Sequence, residues 1–388
     1  MKDLIALSFA IYPIFTNYGF GTLNFGFIGA ALVLAVAFLN KIQYPFEFPK
    51  YFLLHFGVLF FSMIWSGSVA IGLFFVVILL GLFCKYLDFP SLYKWYKRVA
   101  IVCCIFSIFQ YVVYKTTGTF IYGGAIPGLP LNLEYNAERM TRPTAFFQEP
   151  AYCAQYLLPL FAFEIIGNKL KNKSLIILLA ISLILISSGN GLVGMIVIAF
   201  AFIIHIISNY SLLKKITILS ATIISLGVGT FYFIQTEDGA KLLERTNELS
   251  GNATELSSGF IRIYRGYYVF SALDPIEKTI GINGEEKMNR AIQSSGIWSL
   301  FGLNDKFFNA IQSVMIRSGY LGLIFFLLML FTSYRRSSYE MKVIIIIYFV
   351  LAFIESMYMD WKMMYYLVIP YIYMKYLKSE KMEITASN

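Results

Sequence analysis

The segment Arg142-Pro143-Thr144-Ala145-Phe146-Phe147-Gln148-Glu149-Pro150 sets a guanidinium and a carboxylate close together, where a polar stretch runs into an apolar one. A guanidinium is a rigid fork of donors that fits a pair of phosphate oxygens. A carboxylate held beside it can take a proton from a hydroxyl. Arg262 and Arg265 lie three residues apart in Phe260-Ile261-Arg262-Ile263-Tyr264-Arg265, so on a helix they share one face. Arg317, in Arg317-Ser318-Gly319-Tyr320-Leu321-Gly322, falls inside an apolar run, and a charge placed there faces a cavity or a partner. The chemistry these residues offer is fixed cations on a diphosphate and a carboxylate as base. Plainer readings stand beside it. Glu149 before Pro150 fits a helix start, and Arg142 fits an interfacial anchor. The Arg262/Arg265 face fits a helix lying on lipid headgroups, and Arg317 fits a snorkelling side chain.

The composition says what must position these groups. Hydrophobic residues make up 58% of 388 and charged residues 14%, against roughly 25% charged in soluble domains, and the mean hydropathy is +0.69. The expected fold is all-α, a polytopic membrane helical bundle forming a single integral membrane domain over 1–388. Runs long enough to cross a bilayer fall at 4–16, 19–39, 51–65, 68–84, 99–114, 150–167, 174–188, 191–208, 216–234, 311–331, 343–357 and 362–377, twelve in all. The net charge of +9 is spread over short loops instead of forming one stripe, which argues against nucleic acid as a partner. Cys84, Cys103, Cys104 and Cys153 have no disulfide or metal spacing and read as small core residues. His55 and His205 are far apart, so a zinc site is not expected.

Orientation follows from the loops. With an even number of spans both termini lie on one side, and that side holds 18 of the 31 Lys and Arg. Short loops rich in Lys and Arg stay in the cytoplasm, so both termini are expected inside. Two long connections, 115–149 and 235–310, then lie outside, and loops of that length are usually functional. The first is rich in Gly and Pro and reads as irregular. The second opens with a charged stretch (Glu237 to Glu248) that reads as a solvated helix, continues through the Arg262–Arg265 face, and reaches a glycine turn, Ile280-Gly281-Ile282-Asn283-Gly284. The turn lacks the Lys-Ser/Thr ending of a phosphate-binding P-loop. The Ser187-to-Gly191 turn reads as a simple outer hairpin.

Three motifs in order carry a family resemblance. They are Arg-Pro-Thr-x-Phe-x-x-Glu-Pro at 142–150, Arg262 ahead of a Pro…Gly-x-x-Gly turn at 275–284, and Phe-Asn-Ala-Ile-Gln…Gly-x-x-Gly at 308–322. With the twelve-span plan, this arrangement resembles the O-antigen polymerase (Wzy-type) and O-antigen ligase superfamily of bacterial inner membranes. The resemblance implies a GT-C-like bundle whose two long loops are periplasmic. It also implies a metal-independent glycosyltransferase with no cofactor, acting on oligosaccharides carried by undecaprenyl diphosphate. A polymerase of this kind moves the growing glycan from its lipid diphosphate to the next lipid-linked repeat unit. Membrane lipid and a chain-length regulator protein are the further partners it implies.

By motif position Arg142, Glu149 and Arg262 carry over as catalytic residues. Arg265, Arg317, Tyr264 and Asn309 are expected to bind the diphosphate and sugar. Many ligases, and some polymerases, have a His just before the Asn of the last motif, and here that position is Phe308. The expectation is therefore a polymerase, with the general base left open. An O-antigen ligase or a capsular polysaccharide polymerase is the near alternative, and a lipid-linked oligosaccharide flippase or transporter is the alternative of another class.

Overall fold

The computed structural model describes residues 2–16, 18–20, 23–39, 46–122, 141–207, 258–296 and 307–387, with isolated positions between 210 and 235. The described residues are mostly helical. Helix α1 (Lys2–Phe15) leads through a two-residue antiparallel pair, β1 (Gly19–Phe20) and β2 (Leu23–Asn24), into α2 (Phe25–Leu39). Then follow α3 (Phe52–Trp65), α4 (Ile71–Tyr86), α5 (Phe89–Thr117) and α6 (Pro150–Ala162), which runs on as a π-helix over Phe163–Gly167. After α7 (Lys173–Ile186) and α8 (Gly189–Ile207) come three shorter helices, α9 (Ser258–Ser271), α10 (Pro275–Ile280) and α11 (Glu285–Ser294). The chain closes with α12 (Ala310–Arg336), α13 (Tyr339–Leu351) and α14 (Trp361–Ser387).

Local chemistry sets these limits. The Asp88 carboxylate accepts the Ser91 N–H at 3.1 Å and starts α5, which Gly118 ends at φ 71°. Asp274 with Glu277, and Asn309 with Gln312, form capping boxes at the starts of α10 and α12. Packing then gathers an apolar core in which α1 lies on α2 and α5, α12 on α3, and α6 on α7 and α8. All four cysteines are buried free thiols.

Helices α5, α8 and α12 are long and apolar enough to cross a membrane, and α3, α4 and α7 are shorter apolar helices. On α5, Val102, Ile105, Phe109 and Val112 recur on one face and are all exposed. Such a stripe suits lipid contact and is unfavourable in water. The architecture is compatible with a helical membrane protein.

The two ends of the bundle differ. One end carries the described parts of the connections at 141–149, 187–188, 281–284, 307–309 and 352–360, which are joined by hydrogen bonds. The other carries ion pairs: Lys94–Asp3 at 3.1 Å, Lys85–Glu47 at 3.1 Å and Lys375–Glu47 at 2.8 Å. Glu164 is buried there and accepts hydrogen bonds from Tyr93, from Asn168 (3.1 Å) and from Asn172 (2.9 Å). His205 stacks on Tyr339 at 5.0 Å.

The structure departs from the sequence expectations in several places. The run at 19–39 is a hairpin followed by a helix that begins only at Phe25. The run at 343–357 is helical only to Leu351. Residues 352–360 leave the helix yet stay largely buried, because apolar composition marks burial and does not require a helix. The run at 311–331 is broken at Gly319 (φ 61°, ψ −166°). Within the second long connection, 258–296 forms α9 to α11 around an apolar cluster of Val269, Phe270, Ile282, Ile292, Phe308 and Ile316. The 216–234 run apart from a few positions, the whole 237–248 stretch and most of the first long connection lie outside the described residues.

Candidate functional site

The Arg142-to-Glu149 stretch is a compact re-entry built on one amide. Gln110 of α5 accepts the N–H groups of Thr144 (3.1 Å) and Ala145 (2.8 Å) through Oε1, and its Nε2 donates to the Ile121 carbonyl at 2.8 Å. Ala145 takes a left-handed conformation, φ 47°, which lets the chain reverse there. Phe146 then stacks on Phe106 at 4.7 Å, and buried Phe147 packs against Tyr156 and Trp361. The Arg142 Nη1 donates to the Ser187 carbonyl at 2.9 Å, where Ser187 ends α7 with φ 48°. A cation on a terminal helix carbonyl is favourable. Glu149 is the residue before α6 and Pro150 is its first, yet the Glu149 side chain makes no capping bond to that helix. The carboxylate is half-buried.

The glycine turn after α10 and the break in α12 are two halves of one joint. The Ile282 N–H donates to the Ile316 carbonyl at 2.7 Å, and Asn283 Nδ2 donates to the Arg317 carbonyl at 2.9 Å. These are carbonyls that an unbroken helix would satisfy internally. A Cβ on Gly281 would lie 2.4 Å from the Arg317 carbonyl carbon, and one on Gly319 would lie 2.3 Å from the Thr279 carbonyl oxygen. Only bare backbones approach this closely. Asn283 also ties the joint to α3, through its N–H to Ser66 Oγ and its Nδ2 to Ser62 Oγ, both at 2.9 Å. The half-buried Arg317 side chain stands just before the break. Among the described residues its guanidinium makes no hydrogen bond or ion pair, and the Tyr358 phenol is in electrostatic reach.

The buried 352–360 segment joins these parts. Glu355 is 2% exposed; its carbonyl accepts the Ala310 N–H at 2.9 Å, and its carboxylate accepts Asn190 Nδ2 at 2.8 Å. Asn190 opens α8, directly after the turn that receives Arg142. Lys362 is 4% exposed, 3.1 Å from Asp360 and 2.6 Å from the Ser356 carbonyl, with its ammonium 4.2 Å from the Tyr152 ring centroid. Glu149, Glu355 and Asp360 all interact electrostatically with Tyr152. At the far side of the segment, Tyr358 meets His55 of α3 at 2.8 Å. His55 Nδ1 faces the Gly322 carbonyl at 2.9 Å. A carbonyl only accepts, so a neutral His55 carries its proton on Nδ1 and accepts the Tyr358 O–H at Nε2. One turn past Tyr152, Gln155 is fully buried, and among the described residues neither its nitrogen nor its oxygen finds a hydrogen-bond partner. Such orphaned amides are rare and costly.

The seven residues singled out from sequence fall into three groups. Arg142 and Glu149 flank the polar centre around Tyr152, Asn190 and Glu355, while Arg317 stands apart at the break in α12, in electrostatic reach of Tyr358. On α9, Tyr264 is exposed, whereas Arg265 is fully buried with its guanidinium 5.9 Å from the Phe308 ring centroid. Arg262 lies one turn earlier on α9, and its side chain is outside the described residues. Asn309 is buried; its Oδ1 accepts the Gln312 N–H at 2.9 Å and its Nδ2 donates to the Phe353 carbonyl at 2.7 Å, so it starts α12. Gln312 in turn donates to the Ile263 carbonyl at 2.7 Å, which fixes α9 on α12.

Sequence reasoning missed Gln110, Lys362 and the His55–Tyr358 pair. It also set aside the Ser187-to-Gly191 turn, which supplies both the Arg142 acceptor and the Glu355 partner. The available signal was Asp360 in the connection between the last two apolar runs and Lys362 at the start of the run that follows it. In comparisons with known proteins the chain matches no protein-family model and no curated protein.

Proposed function

We propose that this chain is a membrane glycosyltransferase that polymerises a polysaccharide from lipid-diphosphate-linked units. In this reading the loop-bearing end faces the periplasm, both termini are cytoplasmic, and twelve segments cross the inner membrane. The carrying observation is the Arg317 guanidinium, set at a break in α12 with no protein anion on it among the described residues, at the same end as Arg142 and Glu149. Non-helical backbone at membrane depth is tolerated where it is buried in protein or lines a cavity, and here two such pieces, Gly319 and 352–360, lie side by side.

The reaction uses these groups as follows. A hydroxyl of the acceptor repeat unit forms a bond to the anomeric carbon of the donor sugar. The bond from that carbon to the diphosphate oxygen breaks, and its electron pair leaves with the diphosphate. The hydroxyl proton passes to the Glu149 carboxylate. Arg317 and Arg142 oppose the charge that builds on the leaving diphosphate, each contributing on the order of 3 kcal/mol by analogy with one oxyanion donor. Arg262 adds a cation from α9, while Arg265, buried against Phe308, positions that helix. The exposed Tyr264 offers a flat face to a sugar ring.

The test is glycan length in cells. Arg142→Ala, Glu149→Ala, Arg262→Ala and Arg317→Ala should each leave single-repeat glycan while the protein inserts normally, and long-chain glycan from all four contradicts the assignment. A ligase defect would instead strand finished polymer on the lipid carrier. The break in α12, together with the buried charged residues Lys362 and Glu355, also suits a transporter of the lipid-linked unit. An unaltered rate of repeat-unit translocation in a deletion strain argues against that second reading.

A further inference from the structure

At the end of the bundle opposite the candidate site, a cleft of about 310 Å³ opens between the 46–50 segment, the end of α12 and the middle of α14. Four cations line it, Lys50, Arg336, Lys375 and Lys378, with Glu47 as the acid. Glu47 is already shared between Lys85 at 3.1 Å and Lys375 at 2.8 Å. Lys50, Arg336 and Lys378 form no ion pair among the described residues. Three like charges from three separate segments repel one another unless an anion sits among them. The floor beneath them is apolar, with Ile345, Leu367 and Pro370 buried.

The route into the cleft decides between a free anion and a lipid. Leu328, Thr332 and Arg336 are four residues apart on α12, so they form one stripe that passes from an exposed apolar side chain through a hydroxyl to a cation. An acyl chain along Leu328 and a phosphate at Arg336 match that order. The Thr332 hydroxyl is turned back to its own helix, on the Leu328 carbonyl at 2.7 Å, which leaves the anion to the cations. Basic pockets between helices at the headgroup level are the expected seat of an anionic phospholipid.

We infer that this cleft is a binding site for an anionic phospholipid, its headgroup phosphate held by Lys50, Arg336 and Lys378 and its chain lying along α12. The site is distinct from the proposed catalytic centre and rests only on the chain lying in a membrane.

The experiment is native mass spectrometry of the full chain released from nonionic detergent and titrated with phosphatidylglycerol or phosphatidylcholine. The first phosphatidylglycerol should bind at least about tenfold more tightly than phosphatidylcholine. The variant Lys50→Gln/Arg336→Gln/Lys378→Gln should reduce it to the phosphatidylcholine level, and Arg336→Gln alone should have an intermediate effect. A control, Lys169→Gln/Lys171→Gln/Lys173→Gln, removes three exposed cations elsewhere and should leave it unchanged. All variants are compared at equal melting temperature and elution volume. An unaffected triple variant, or an equal loss in the control, overturns the site. Glycerol phosphate binding as tightly as the lipid overturns its assignment to a lipid.

Discussion

Gly319→Ala tests the joint on which the candidate site hangs. The native backbone there (φ 61°, ψ −166°) is a conformation that L side chains rarely adopt, and holding a side chain in it costs roughly 1–3 kcal/mol. The new Cβ would stand 2.3 Å from the Thr279 carbonyl oxygen and 2.6 Å from the Ile280 nitrogen. Both are backbone atoms, so no side chain can swing away and the turn must withdraw. Withdrawal breaks the Ile282–Ile316 and Asn283–Arg317 hydrogen bonds, each a net loss of about 1 kcal/mol. The sum is roughly 3–5 kcal/mol. At about 2 °C per kcal/mol for a large chain, the melting temperature should fall by about 6–10 °C. Gly57→Ala is the control: its Cβ meets nothing within 4 Å, and helix propensity there favours alanine. Differential scanning fluorimetry of both variants in detergent decides the matter. A Gly319→Ala protein melting within a degree of the parent would refute the close approach of the turn to α12.

Gln110→Ala removes the acceptor of two buried N–H groups, so it should cost roughly 2–4 kcal/mol and loosen the 142–149 stretch, seen as faster amide exchange at Thr144 and Ala145. Lys362→Met leaves Asp360 and buried Glu355 without their cation, and breaking such a pair from one side should destabilise by about 3–5 kcal/mol, read in a melt beside Asp360→Asn/Lys362→Met, which should recover part of the loss. Burial pushes the Glu47 carboxyl up, but bonds from Lys375 and Lys85 outweigh it and hold it below its ordinary value. A lowered folded pKa gives stability that is present above the unfolded value and is lost as pH falls through the folded one. Melts from pH 6 down to pH 3 should therefore show the parent losing on the order of 1 kcal/mol more than Glu47→Gln; equal losses would contradict the pairing.

Most helices were legible because apolar runs report burial. Where burial and helicity part company, the runs misled. Residues 311–331 read as one apolar stretch, and the break at Gly319 is invisible in composition; Gly281, far away in sequence, packs its backbone into the gap. The 352–357 residues looked like the end of a span, and Glu355 was the one sign that the chain there turns polar work inward. Arg142 and Glu149 were found through their spacing, but Gln110, which shapes the stretch between them, sits in an ordinary helical run and carries no local signal. Asn309 was singled out as a sugar contact, and its position before Ala310-Ile311-Gln312 is equally that of a capping box, the role it plays. Arg265 was expected to offer its guanidinium to a phosphate from its spacing alone, and tertiary packing against Phe308 buries it.

The most direct test of the account is reconstitution of the purified chain in liposomes with a lipid-diphosphate-linked repeat unit, followed by gel analysis of the glycan. The account predicts a ladder of increasing repeat number that forms with no added protein and collapses to a single repeat with Arg317→Gln, while the variant melts normally. Absence of a ladder from the well-folded parent, or an undiminished ladder from Arg317→Gln, would contradict it.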